Sequence, residues 1–422
     1  MGCCLALEMA QRGYSVDLID LATEPMNGAS LNNEGKLHLG FVYANDPTKE
    51  THRLMQQGAL AFAGIIRKLT GAGPEALMSS QPFHYFVPLD SRLDMATLEE
   101  HFQAVDESTQ DLARSTGDRY LGLEFDRYSR RNSAREHERL FSPGLTQGSF
   151  STQERSVSPI AVAKILRRTV KACQNIRFIA NTNVQAVDRV AQDGIDLVVT
   201  SNGATQTWRY SCVVNCLWDD KLRIDCTAGV DEPGPWLHRY KVVIHVPMPG
   251  VFDSDIPSAS GVHGPYGDVV KFTDDLFSVS WYPRCMVEQS TQLDGRKLHD
   301  SIHKGLLPCT IKMLSSCLPA FSRQVINISH RRLIRDSLRE LARYIPSMDR
   351  LMSAVDTSRL SGGVILAKGS SDIDDPHSLL HQRLDIGPAG YGPYITVNTG
   401  KYTMAPLFAV QTADMVAEVV NE

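Results

Sequence analysis

A chain of 422 residues that is 42% hydrophobic and 22% charged can bury a full core and is long enough for two domains or lobes. Its formal net charge of −5 offers no electrostatic reason to expect nucleic acid or an anionic membrane as a partner. No apolar run approaches the roughly 18 residues of an integral membrane segment. The nine cysteines are scattered, without the paired CxxC spacing of a zinc site, so no metal is expected and reduced thiols in a cytoplasmic setting are.

Residues 3–12 (CCLALEMAQR) read as a short helix closed by Gly13, and Val16–Ile19 as a buried strand ending at Asp20. Apolar positions at helical spacing mark a helix over 48–70, and a polar, acidic helix covers 96–115. The stretch 117–140 is charged and poorly patterned, and Ser158-Pro159 opens a helix that runs to about Cys173. Short strands follow at 176–180, 184–190, 196–200 and 205–210, after which Val213–Asn215 returns to a parallel sheet. Longer, alternating strands at 239–247, 268–272 and 276–282 precede helices at 297–317 and 333–354. Strands at 364–367 and 395–397 and a helix at 403–420 close the chain.

The alternation predicts an α/β protein: a Rossmann-like nucleotide-binding domain and an α+β substrate domain built on an antiparallel sheet. The nucleotide domain is discontinuous, with boundaries at 1–75, 150–234 and 355–422, and the substrate domain takes 76–149 and 235–354. A dinucleotide site needs a strand, a glycine-rich turn, a helix, a second strand and an acid that holds the ribose. Helix 3–12, strand 16–19 and Asp20 stand in that order, and Gly2 lies at the spacing of the last glycine of G-x-G-x-x-G. The first strand and the first two glycines do not precede them. The sheet is therefore expected to carry a slot with unpaired backbone groups, and one reading is a truncated or inactive module without catalysis.

After Asp20 comes a long polar stretch punctuated by glycine, Gly28 to Gly40 (GASLNNEGKLHLG). Its Ser30, Asn33, Gly35, His38 and Gly40, with Leu37 in an isoleucine position, resemble the Ser-x-x-Asn-x-Gly-x-Ile-His-x-Gly segment of the D-amino-acid-oxidase-like flavoproteins. That superfamily includes sarcosine oxidase, FAD-linked glycerol-3-phosphate dehydrogenase and L-2-hydroxyglutarate dehydrogenase. Two further segments are similar. Val184 and the run Val213-Val214-Asn215-Cys216-Leu217-Trp218 match a strand on the adenine side and a Val-Val-Asn motif, although Cys216-Leu217 replaces the usual small-residue turn. Thr396 to Pro406 matches the segment that turns into the last helix at the flavin's pyrimidine end, and Gly363 lies in the loop-forming run just before it.

The resemblance implies FAD as cofactor and Gly2, Asp20, Ser30, Asn33, Gly35, Leu37, Val184, Asn215, Gly363, Gly400, Lys401, Tyr402 and Thr403 as its contacts. It implies oxidation of a C–H bond beside an amine or hydroxyl of a small, anionic substrate by hydride transfer to flavin. The Asn-x-Gly-x-x-His-x-Gly run leans toward members that act on 2-hydroxyacids and glycerol phosphate. His38 is the expected base, since a histidine is readily tuned near neutrality. Tyr266 and Arg284 complete the expected catalytic set, with Arg284 or Arg239 pairing the substrate anion. Trp281 and Tyr282 point to opposite faces of a strand, so only one of them can face the cavity.

Overall fold

The computed structural model describes residues 1–191, 194–248, 255–273, 276–298, 328–375 and 377–421. Helix Gly2–Gln11 is apolar nearly all round and is buried from Cys3 to Ala10, packed on the helices Pro159–Ala172 and Ala405–Asn421. The strand Val16–Ile19 then pairs in parallel with Ile176–Ile179, Val16 opposite Ile176. Val213–Asn215 pairs in parallel with Tyr394–Asn398, which takes Gly387–Tyr391 antiparallel on its other side.

These two pieces of the nucleotide sheet are not joined. Among the described residues no strand pairs with the second edge of Val16–Ile19 or of Val213–Asn215. Val16, Leu18, Val213 and Val214 instead line one cavity that opens between them. Of the four short strands expected after residue 176, only the first joins the parallel pair. The others, Thr182–Ala191, Gly194–Ser201 and Ala204–Tyr210, form a separate antiparallel meander.

The expected helices have local causes. Asp94 caps Met95–Thr116 by accepting the Thr97 N–H at 2.7 Å, and Ser158 caps Pro159–Ala172 by accepting that of Ala161 at 3.3 Å. Glu50–Thr70 buries the expected Leu60, Phe62, Ile66 and Leu69, together with Met55 and Ala59, while Leu54 and Ile65 are only partly buried. The poorly patterned stretch holds a strand, Ser129–Arg131, and a short helix, Ala134–Leu140, started by a capping box between Ser133 and Glu136. Residues 299–317 of the helix expected at 297–317 lie outside the described residues. The helix expected at 333–354 is Ile328–Tyr344 followed by a 3-10 stretch, Pro346–Ala354, because a residue before proline is pushed out of the helical region.

The other half is a nine-stranded sheet. Its path runs Met286–Ser290, Trp236–Pro247, Leu276–Trp281, Gly267–Thr273, Ser258–Gly261, Phe83–Pro88, Thr146–Thr152 and Ser129–Arg131. Arg359–Lys368 pairs with Trp236–Pro247 over ten residues, from Trp236 opposite Lys368 to His245 opposite Arg359. In that register residues 359–368 pair with this sheet. Tyr240, Val242, Ile244, Phe277 and Val279 form one core with Leu338 and Leu341 of Ile328–Tyr344. Full burial of each such side chain contributes roughly 1.5–3 kcal/mol. No helix among the described residues is long and apolar enough to cross a membrane, and the described cysteines are all free.

Candidate active site

A cavity of about 790 Å³ runs between the two halves, within the range of roughly 300–1,000 Å³ typical of small-molecule sites. At one end the start of helix Gly2–Gln11 faces it, with no side-chain cap on its first amides. Free amides and the helix dipole there favour a negative group such as a phosphate. Asp20 stands nearby at the end of its strand, one oxygen taken by the Ala22 N–H at 2.9 Å, and burial raises its carboxyl pKa. Val184 lines the same end.

The Gly28–Gly40 segment forms the middle of the wall. Ser30, Asn33, Gly35 and His38 line it. Gly35 has φ +64°, and a Cβ there would come 1.9 Å from the Val157 carbonyl oxygen, so a side chain is excluded. Asn33 holds the loop's own shape: its amide donates to the carbonyls of Ala29 (2.9 Å) and Ser30 (3.0 Å), and its oxygen accepts the Gly35 N–H (2.6 Å). Asn215 is likewise spent internally, on Lys221, Asp225, Tyr394 and the Leu217 amide, although its residue lines the cavity. Leu37 does not line it; its side chain is fully buried in the core, where the short Lys36–Leu37 strand pairs with Arg155–Ser156.

Gly363, Gly400, Lys401 and Tyr402 close the opposite wall. A Cβ on Gly363 would meet the Ala29 Cα at 2.9 Å, which is how the substrate sheet comes against the glycine-rich loop. Thr403 stands behind the wall and ties it together: its hydroxyl accepts the His38 N–H at 3.0 Å and donates to the Lys36 carbonyl at 3.1 Å. Unsatisfied helix amides, an acid at a strand end and a groove of backbone and small residues suit a dinucleotide with a planar ring. These are the groups that would hold it.

His38 faces the cavity with a side chain 12% exposed, its ring 5.6 Å from that of Tyr43. Its Nδ1 lies 3.3 Å from an oxygen of the fully buried Glu154, off the line of a hydrogen bond. Burial lowers the His38 pKa, and Glu154 recovers only part of the shift. Tyr266 also lines the cavity, but its hydroxyl donates to Asp90 at 2.8 Å, and burial together with Asp90 raises its pKa. Arg284 is a correction. The strand ends at Trp281 and the turn Tyr282–Cys285 sends Tyr282 to the cavity while Arg284 is exposed and away from it. Arg239 is buried against Asp372 (2.8 Å) and is not part of the lining either.

Of the basic residues that reach the cavity Lys401 was expected, whereas Arg383 and His381 are ones the sequence reading passed over. Arg383 is 1% exposed, and among the described residues its guanidinium makes one hydrogen bond, to the Leu366 carbonyl at 3.3 Å, leaving Nε and Nη2 without partners. Burial, with Arg239 nearby, pushes its pKa down to about 10. His381 and His263 stand beside it with rings 5.5 Å apart, and neither nitrogen of His263 has a partner. Lys401, 5.7 Å from the Tyr43 ring centre, is held well below the lysine range by burial and by Arg383. On the sheet side Lys36, Lys241, Glu34 and Asp268 form a paired quartet, with Lys241 2.6 Å from Glu34. Burial opposes the charges of Glu34 and Asp268, but the two lysines outweigh it and hold both carboxyls down.

The family model described as DAO, FAD dependent oxidoreductase, matches residues 1–371. No curated protein matches the sequence. Among solved structures, the chain is similar to the dithionite-reduced L-alpha-glycerophosphate oxidase of Mycoplasma pneumoniae with FAD bound (TM-score 0.61, 12% identity, covering 100% of this chain and 92% of that one). It is also similar to glycine oxidase of Geobacillus kaustophilus (0.60, 13%, 99% and 91%) and to iminodiacetate oxidase of Chelativorans sp. BNC1 (0.60, 15%, 99% and 92%). Identities this low speak for the fold alone. With the family model spanning most of its length, the chain belongs to the DAO family of FAD-dependent oxidoreductases.

Proposed function

We propose that this protein oxidises a C–H bond next to a hydroxyl or amine of a small anionic substrate, with His38 taking the proton from the heteroatom. The observation that carries this reading is that His38 shares one cavity with Arg383, a buried guanidinium whose Nε and Nη2 have no hydrogen-bond partner, and with His381 and Lys401 beside it. Burying unpaired cations is costly, and an incoming carboxylate or phosphate relieves that cost. The flavin, when bound, supplies the acceptor for the two electrons and the hydrogen that leave carbon. Arg383 holds the anion with His381 beside it, and an anion bound there favours the charged form of Lys401 that burial opposes. His38, kept largely neutral by burial, accepts the proton at Nε2, the nitrogen turned from Glu154. The wall of Tyr282, Tyr266 and Ile373 keeps water from the reacting carbon.

The test uses holoenzyme and a panel of 2-hydroxyacids, glycerol phosphate and amino acids, followed by bleaching of the flavin bands. For whichever probe reduces the flavin, His38→Asn should lower kcat/KM by about 10²–10⁴-fold. Arg383→Leu should raise KM far more than it lowers kcat, as loss of uniform binding does. Equal activity of His38→Asn and the parent would end the assignment of the base.

A further inference from the structure

We propose that Glu154 is the positioning residue of His38, fixing the ring so that Nδ1 carries the proton and Nε2 faces the cavity. Glu154 sits in the turn after Thr146–Thr152, and its side chain is 0% exposed. A carboxylate in such a place survives only when its oxygens are engaged. One oxygen, Oε2, accepts the Leu39 N–H at 2.7 Å, and the other, Oε1, closely accepts the Tyr85 hydroxyl. Tyr85 lies on the sheet strand Phe83–Pro88 and Leu39 in the ring-lining segment, so the carboxylate is anchored from both halves without help from His38. Oε1 is the oxygen that stands 3.3 Å from His38 Nδ1.

The present angle is off the hydrogen-bond line, and a small rotation of the ring brings Nδ1–H onto Oε1. The His38 backbone is meanwhile held by Thr403, so the ring turns about a fixed point. The other charged or titratable groups around His38 are Lys401, Lys36 and Tyr43. Both lysines oppose a charge on the imidazole. Of these groups Glu154 favours it, raising the ring's basicity while choosing its tautomer. The burial of Glu154 tends to raise its own pKa, but His38, Tyr85 and the Leu39 amide outweigh that and keep it ionised.

The consequence for turnover rests on His38 being the base; the tautomer and titration of the ring do not. Holoprotein with ¹³C,¹⁵N-labelled histidine, its His38 signals assigned through His38→Asn, reads both directly by NMR. In the parent the Nδ1–H tautomer should dominate. Glu154→Gln should mix the tautomers and lower the His38 pKa by about a unit or more, the usual effect of losing an opposite charge. Tyr85→Phe should act in the opposite direction, raising the pKa, because it frees Oε1 for the ring. Should Glu154→Gln not fold, Tyr85→Phe and Glu154→Asp carry the test, the latter with a smaller downward shift. Unchanged tautomer and pKa in the folded variants would overturn the proposal. If the shifts occur and His38→Asn still turns over at the parent rate, the positioning stands and it is the base assignment that falls.

Discussion

The two halves of this molecule solve the same problem differently. The substrate half is a continuous sheet of nine strands in which Trp236–Pro247 is paired along both edges. The nucleotide half is a sheet in two pieces, Val16–Ile19 with Ile176–Ile179 and Val213–Asn215 with Tyr394–Asn398, facing each other across a cavity. The first half owes its order to hydrogen bonds and a closed core. The second leaves apolar side chains and backbone edges beside open space, so a larger share of its order depends on what fills that space.

Hydrogen exchange should show the largest contrast. Amides of Val16–Ile19 and Val213–Asn215 should exchange at least a hundredfold faster than those of Val242–Ile244, since opening an unpaired edge costs far less than global unfolding. Added FAD should slow the first set and leave the second unmoved; equal protection in both would erase the distinction. Core truncation sharpens it next. Phe277 is 0% exposed, and Phe277→Ala should cost about 3–5 kcal/mol in urea unfolding. Leu18 borders the cavity, so Leu18→Ala should cost only about 1 kcal/mol, with fewer contacts to lose. A Leu18→Ala loss as large as that of Phe277→Ala would mean that the space is closed in solution.

The smallest effect is one of sign. In the substrate half, burial holds His84, His245 and His263 near pKa 4 instead of 6.5. The unfolded chain binds those protons first, so stability from this half falls as pH drops from about 6.5 toward 4. In the cofactor cavity, burial and Asp220 raise Asp219 from 3.8 to about 7. There the folded chain keeps a proton that the unfolded chain has lost, so stability falls as pH rises from about 4 to 7. Melting temperatures of Asp219→Asn across that window should show a steeper rise with pH than the parent. Parallel curves would place Asp219 in contact with water or a cation in solution.

Much of this was legible in the sequence where the cause is local. Ser158 starts its helix because its side chain caps the first amides, while Tyr282 reaches the cavity from the turn after the strand and not by strand alternation. The helix Gly2–Gln11 and its strand were readable from spacing, and the Gly28–Gly40 segment from its resemblance to the family's motif. What escaped was decided by partners far away in sequence. Asn215 looks like a ligand-binding amide, yet it is taken up by Asp225 and by the Tyr394 hydroxyl, 179 positions away. Arg284 was chosen for its strand, and a four-residue turn points it outward. Arg383 sits in an irregular stretch with no pattern to mark it. Glu154 meets Leu39 across 115 positions and Tyr85 across 69, separations that no spacing rule reports.

The hydroxyl of Thr403 joins positions 365 residues apart when it receives the His38 amide. During synthesis this wall of the cavity therefore cannot be finished until Thr403 has emerged. Closing so long a loop adds only about 0.6 kcal/mol per doubling of length, so the final fold bears it lightly. The cost falls on time instead: contacts of this span form late, and the chain must spend its early life with the ring-lining segment exposed. A folding helper or early cofactor capture would act in that interval, before Thr403 arrives to latch the site.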